Sequence, residues 1–259
     1  MPTWLLASVI FFTYLAAVAL AMPRLRPRAR LIVAAGSAAG LTICALAHVT
    51  APSAVLHGWV YPPALLLLGY WTSGVLFHAP MTHLERALCA WDRAVNVDAA
   101  MRATPPWLRE LLELAYAGVY LLVPAVLIVH LTTSQSPDAD RFWGIVLATD
   151  FICFGTLPWV QTRPPRSLAG VEPWRARFRP VNLHMLSKGS IQANTFPSGH
   201  AAEAAAAALL VIGAPWPIVV AVAVAAVMVT AGAVLGRYHY AADAVAGWAV
   251  AATVWALLA

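Results

Sequence analysis

An all-α, polytopic transmembrane helix bundle is the fold class this sequence predicts, and three observations predict it. Of 259 residues, 61% are hydrophobic and only 10% are charged, with a mean hydropathy of +0.75; one soluble core cannot hide that much apolar surface. The apolar residues fall into runs of about 20, the length that crosses ~30 Å of hydrocarbon as a helix. The net charge of +5 comes from arginine clusters beside these runs, which suits anionic headgroups or a phosphorylated substrate better than nucleic acid.

The first run, 3–22, is read as a retained span. Arg24, Arg26, Arg28 and Arg30 follow it, whereas a signal peptide carries its charge ahead of the apolar stretch. A second span covers 31–51. A third, 55–79, is long enough to cross, but Pro62-Pro63 predicts a kink, a break or a re-entrant segment. His48, His57 and His78 have no carboxylate at ligand spacing and read as interfacial or packing residues. Cys44, Cys89 and Cys153 lie too far apart for zinc-ligand spacing or a disulfide framework and read as packing.

From Met81 to Arg109 the pattern changes. Leu84, Leu88, Trp91 and Val95 recur at helical spacing with Glu85, Arg86, Asp92 and Arg93 between them, predicting an amphipathic helix on the membrane surface. Thr104-Pro105-Pro106 ends it. Spans at 111–131 and 142–160 follow, joined by a turn at 133–141. Asp150 inside the second is either functional or held by a neighbouring helix, because a lone carboxylate there is costly. After a long polar connection come spans at 198–213, 218–235 and 240–259. The chain thus divides into N-terminal transmembrane segments (1–80), an interfacial amphipathic helix (81–109) and a transmembrane core (110–259).

Chemistry is expected in the polar connection, since loops of that length are usually functional. It carries Arg163-Pro164-Pro165-Arg166, then Arg175, Arg177, Arg179, His184 and Lys188. Guanidinium groups suit phosphate through paired parallel hydrogen bonds. Arg163, fixed by two prolines where a span ends, is placed as a phosphate clamp; Arg175, Arg177 and Arg179 read as a loop touching lipid headgroups. The connection ends in Asn194-Thr195-Phe196-Pro197-Ser198-Gly199-His200. Pro197 suits the first turn of a helix, Ser198 and Gly199 leave nearby N–H groups for an anion, and His200 stands at the rim to exchange a proton. His239 and Asp243, four apart, share a helical face, so the carboxylate can fix one imidazole nitrogen as N–H and leave the other as base or nucleophile.

Taken in order, Arg163-Pro164, Pro197-Ser198-Gly199-His200 and His239 with Asp243 resemble the three signatures of the type 2 phosphatidic acid phosphatase superfamily, over roughly residues 110–259. Trp91-Asp92-Arg93 and the Leu111–Leu122 segment with Tyr116 and Tyr120 resemble its bacterial branch related to inositol phosphorylceramide synthases. The resemblance implies a six-helix α core and phosphoryl transfer with no metal and no cofactor. His239 would be the nucleophile, Asp243 its orienter and His200 the acid for the leaving alkoxide. Arg163, Arg237, Ser198 and Gly199 would bind the phosphate. Two cationic places of the common pattern hold Thr156 and Ala233 instead, and Arg237, with Arg166 or Lys188, is expected to replace them.

Three functions remain open on these residues: a phosphatase acting on a phosphate or diphosphate monoester of a lipid, a phosphotransferase with a second hydroxylated lipid or polyol as acceptor, and a non-catalytic binder of anionic lipid. The partners expected are a phosphorylated lipid substrate and membrane lipids. Eight full crossings in a cell membrane would put the early arginines and the catalytic loop on one face, which the positive-inside rule sends to the cytoplasm. The resemblance implies an extracytoplasmic site, and the expectation adopted is that one, with a broken third segment uncoupling the early arginines from the site.

Overall fold

The computed structural model describes residues 1–23, 25–133 and 138–258. Arg24, part of the expected 133–141 turn and Ala259 lie outside these. The all-α expectation holds: eleven α-helices are found among the described residues, with a single isolated β-bridge between Thr162 and Asn194.

Helices α1 (Thr3–Ala21) and α2 (Pro27–Val49) pack against each other, and Pro27 opens α2, where a missing N–H costs nothing. The third segment is not broken. Residues 54–74 are continuously helical, a π-helical turn at Leu56–Val60 leading into α3 (Tyr61–Gly74). The Tyr61 N–H reaches back to the Leu56 carbonyl, and Pro62 and Pro63 occupy the first turn of α3. The wider π spacing accommodates the prolines, so the helix continues through them.

The expected interfacial helix is two helices, α4 (Thr82–Ala94) and α5 (Val97–Ala103), divided at Asn96, whose φ is 58°. Its orientation also departs from expectation. Glu85, Leu88 and Asp92 are buried against the protein, while Trp91 and Val95 are exposed. The carboxylates turn inward because two arginines meet them there. Arg163 gives Glu85 its Nε (3.0 Å), an outer guanidinium nitrogen (2.7 Å) and its backbone N–H (2.8 Å). Arg237 pairs with Asp92 (3.5 Å) and with Asp98 of α5.

Next come α6 (Pro106–Thr133) and α7 (Ala139–Gly155), the latter capped by Asp138, which accepts from the Asp140 N–H at 2.8 Å. The long connection is not all loop: it holds a 3₁₀ turn at Pro165–Ser167 and α8 (Arg179–Gly189). Helix α8 is fastened by Asn182, whose amide donates to the Glu113 carbonyl at 2.8 Å, and by Arg179, which pairs with the Glu113 carboxylate at 3.2 Å. Arg179 is therefore a structural residue rather than a headgroup contact. The chain closes with α9 (Gly199–Leu210), α10 (Trp216–Leu235) and α11 (Ala241–Leu258).

Five of these helices, α1, α2, α6, α10 and α11, are long and apolar enough to cross a membrane. Helix α9 is not the full span expected, since 12 residues reach only ~18 Å at the α-helical rise. It is an interior helix packed by α6, α7, α10 and α11. Its alanines 201, 202, 204, 205, 206 and 207 are all at most 1% exposed, and small side chains of this kind let neighbouring backbones approach closely.

Cross-helix bonds fix the two ends of the bundle. Tyr14 donates to the Gly155 carbonyl, and Trp71 to the Gly189 carbonyl. The ends of α1, α3 and α7 therefore meet at the end that carries the polar connection. At the other end Thr3 bonds Asp140, and Trp143 bonds the Gly58 carbonyl. Arg26, Arg28 and Arg30 consequently share a face with the connection, and Arg141 lies at the opposite end.

Gly247 of α11 leaves no room for a side chain against the start of α9. A Cβ there would stand 2.6 Å from the Ser198 carbonyl oxygen, which is backbone and cannot swing away. Gly247→Ala is expected to cost about 1–3 kcal/mol, as overpacking does. A thermal melt in detergent checks this, and a variant that melts with the wild type would refute the tight α9–α11 contact.

Candidate active site

The site forms where the polar connection, the start of α9 and the α10–α11 turn converge. Ser198 caps α9 by accepting from the Ala201 N–H, and the Thr195 hydroxyl accepts from the Gly199 N–H at 3.2 Å. The Ser198 N–H is taken by the Asp243 carbonyl at 2.9 Å. The Ser198 and Gly199 N–H groups expected to await an anion are thus already bonded within the protein, and Ser198, fully buried, serves as the cap. Pro197, in a cis peptide bond with Phe196, precedes the cap and is not in the first helical turn.

His239 lies in the turn before α11, and its Nδ1 faces Asp243 Oδ2 at 3.5 Å. That is ion-pair distance without hydrogen-bond alignment, and catalytic contacts commonly tighten only with substrate bound. Asp243 is itself held. Its Oδ2 accepts from the Asn194 amide at 2.8 Å and from the Tyr240 N–H at 3.0 Å. The same Asn194 amide donates to the Thr162 hydroxyl at 3.0 Å, beside the Thr162–Asn194 bridge. One asparagine therefore joins all three motif regions. Asn194 has no role assignable from the sequence alone; an amide side chain in the same stretch as His200 was the available signal.

The His200 ring sits 5.8 Å from that of His239, centroid to centroid. Tyr116 stacks on His200 at 5.0 Å and on Tyr238 at 4.0 Å, and the Tyr120 hydroxyl lies 3.4 Å from His200 Nε2. These contacts fix the imidazole in place. Burial, and then the Arg166 guanidinium, push the His239 pKa down to about 3, so its imidazole is neutral near pH 7.

Both histidines open onto a cavity of about 260 Å³ that Arg166 and Gly199 also line. Arg166 lies over the Tyr238 ring at 5.2 Å, and among the described residues no carboxylate pairs with it. Burial lowers its pKa without discharging it, given how high an arginine starts. The other expected phosphate ligands stand elsewhere. Arg163 is spent on Glu85, whose pKa the Arg163 hydrogen bond holds below the ordinary carboxylate value. Arg237 points to Asp92 and Asp98 and lines a separate cavity. Burial raises Asp92 to about 6, outweighing its Ala241 N–H bond and Arg237. Lys188 is exposed on α8 and does not line the site.

Asp150 and Glu203 line the same cavity, with Tyr70 and Trp71 of α3. Glu203 went unassigned in the sequence, although it is the one carboxylate in the α9 segment and lies one turn after His200.

No curated protein and no solved structure matches the chain. A family model described as the PAP2 superfamily matches residues 80–257, well over half of the sequence, and it covers α4, both histidines, Asp243 and Arg166. The chain belongs to the PAP2 superfamily.

Proposed function

We propose that this chain is an integral membrane lipid phosphatase that works through a phosphohistidine on His239. The observation that carries the reading is the arrangement around one cavity: a neutral His239 backed by Asp243, His200 facing it at 5.8 Å, and Arg166 with no carboxylate partner among the described residues. With Nδ1 turned to Asp243, Nε2 is the atom free to attack phosphorus. As the N–P bond forms, the ester P–O bond breaks and the leaving oxygen takes a proton from His200. Water then attacks the phosphohistidine, gives a proton back to His200, and releases inorganic phosphate and free His239. Arg166 would hold the equatorial oxygens, the electrostatic task that phosphoryl transfer mainly asks of a protein.

A lipid substrate is supported by the cavity rim, where Leu67, Trp71 and Tyr120 are 48%, 51% and 51% exposed. Such a rim offers an acyl chain an apolar way in from the bilayer. A phosphotransferase, as in the branch that Tyr116 and Tyr120 resemble, would share the intermediate and differ only in its acceptor. A binder without turnover would form no intermediate. Release of inorganic phosphate from a panel of lipid phosphates, with and without a hydroxylated acceptor, separates the three.

His239→Ala is expected to abolish turnover with the bundle intact. His200→Ala should slow lipid phosphates by ~10²–10⁴-fold, the usual worth of a general acid, and spare an activated aryl phosphate. Equal losses on the two substrates would remove His200 from the acid role.

Activity is expected to survive EDTA, because Arg166 supplies the positive charge a divalent ion otherwise would. Complete loss on chelation, reversed by magnesium, would sink the mechanism.

For the facing of the site, the extracytoplasmic expectation relied on a break in the third segment. The continuous 54–74 helix removes that support. The arginines at positions 26, 28 and 30, on the same face as the connection, support a cytoplasmic site instead. With single cysteines at Ala29 and Ala169 in a background lacking Cys44, Cys89 and Cys153, an impermeant maleimide on intact cells should label neither. Labelling of Ala169 would return the site to the outer face.

A further inference from the structure

The mechanism asks His200 for a proton that its surroundings work against. Arg166 shares its cavity, and a cation beside an imidazole disfavours a resting imidazolium. Two carboxyls that the mechanism leaves unused stand next to the ring. Gly199 and Glu203, four apart in α9, lie on one face of the helix, and Glu203 follows His200 by three, which puts their Cβ atoms ~5–6 Å apart. Helical side chains lean toward the N-terminus, so the Glu203 carboxyl is carried back over the Gly199–His200 turn. Asp150 of α7 reaches the same turn, its Oδ1 lying 3.7 Å from where a Cβ on Gly199 would be. His200, Glu203 and Asp150 all line the one cavity.

The pair is uncharged for physical reasons. Asp150 is 2% exposed, and its Oδ2 meets no hydrogen-bond donor among the described residues. A carboxyl buried in this way takes up a proton rather than stay ionised, and two carboxyls on one wall do not both ionise. Among the described residues, Arg166 is the only arginine or lysine in that wall, and no carboxylate pairs with it. The other titratable groups there are Tyr70 of α3, Tyr116 and Tyr120 of α6, and Tyr238 and His239 of the α10–α11 turn; α1, α10 and α11 contribute none.

Resting on the phosphatase reading, we propose that Glu203 is the proton store of His200, and that Asp150 steadies the charge Glu203 carries in mid-reaction. Neutral His200 presents its N–H to the leaving oxygen and its bare nitrogen to Glu203. As the ester P–O bond breaks, that N–H bond breaks with it and the leaving oxygen becomes an alcohol. The Glu203 O–H proton passes to the bare nitrogen, so the ring ends neutral with its proton on the Glu203 side. Glu203 is then a carboxylate accepting the Asp150 O–H, a charge-assisted hydrogen bond. When water attacks the phosphohistidine, its proton goes to the nitrogen now bare, and the proton on the other nitrogen returns to Glu203. Both carboxyls finish as they began, and the ring never has to turn. Glu203 is thus a positioning residue that acts only through His200.

Infrared difference spectroscopy at neutral pH, on the full-length chain in detergent, reads the stored proton without requiring turnover. The wild type should show the carbonyl stretch of a protonated carboxyl, shifted by heavy water, that Glu203→Gln lacks. No such band would overturn the proposal, whatever the chain hydrolyses. Turnover then reads the relay. Glu203→Gln keeps shape and hydrogen bonding but has no proton to give, so kcat/KM for a lipid phosphate should fall ~10²-fold or more, the worth of acid catalysis. For an activated aryl phosphate, whose oxygen leaves unprotonated, kcat/KM should stay within about threefold. Glu203→Asp keeps the proton and should recover at least about tenfold of the loss. In the wild type, the ratio of lipid to aryl kcat/KM should decline as rising pH ionises the pair; in Glu203→Gln it should be low and level. Full lipid turnover in Glu203→Gln, equal losses on the two substrates, or a decline that survives the substitution would each refute the relay. A missing band with phosphate still released sinks the relay alone. A band present with no phosphate released from either substrate would count against the phosphatase reading, and the relay would fall with it.

Discussion

Charge at the edge of hydrocarbon must be paired, and in this protein α4 supplies the carboxylates that hold Arg163 and Arg237. Its Glu85 takes three hydrogen bonds from Arg163, and its Asp92 meets Arg237 while accepting the Ala241 N–H at 2.9 Å. The first contact anchors the polar connection just after Thr162. The second anchors the turn that carries His239. A helix lying across the end of the bundle thereby sets the spacing of two segments that come together only in the fold. The same pairing occupies Arg163 and Arg237 and leaves Arg166 to face the cavity.

A second layer of order sits inside the first. The Asn194 amide bridges Thr162 and Asp243, so the carboxylate behind His239 is positioned by the connection and not only by its own helix. The Asp243 backbone carbonyl also takes the Ser198 N–H, which ties the α9 cap to α11. Gly247 permits that approach, and the alanines of α9 permit the rest. The small residues in this short helix are what bring His200 within reach of His239.

Much of this was legible in the sequence, for physical reasons. Apolar runs set the helices because composition and length govern membrane crossing. The convergence of Arg163-Pro164, His200 and His239 followed from their places at helix ends. What was not legible depended on partners distant in sequence. Glu85 and Asp92 read as the wet side of an amphipathic helix because nothing local reveals that Arg163 and Arg237 lie opposite. Ser198 read as a free donor because the Asp243 carbonyl that takes its N–H comes from α11, whereas the Thr195 hydroxyl on the Gly199 N–H lies four residues back in the same motif. Pro62-Pro63 read as a break because a π turn leaves no periodic signal. Glu203 was visible but, amid alanines, drew no attention without Asp150 across from it.

The central claim is that Arg166, and neither Arg163 nor Arg237, meets the substrate phosphate. Inhibition by orthovanadate, which mimics phosphorus in transit, reads that contact directly. Arg166→Ala should weaken vanadate inhibition by about 10- to 100-fold, the worth of charge-assisted hydrogen bonds, while Arg163→Lys, which keeps a cation against the buried Glu85, should leave the inhibition constant within about threefold. The reverse order, with Arg163→Lys losing vanadate and Arg166→Ala retaining it, would contradict the account.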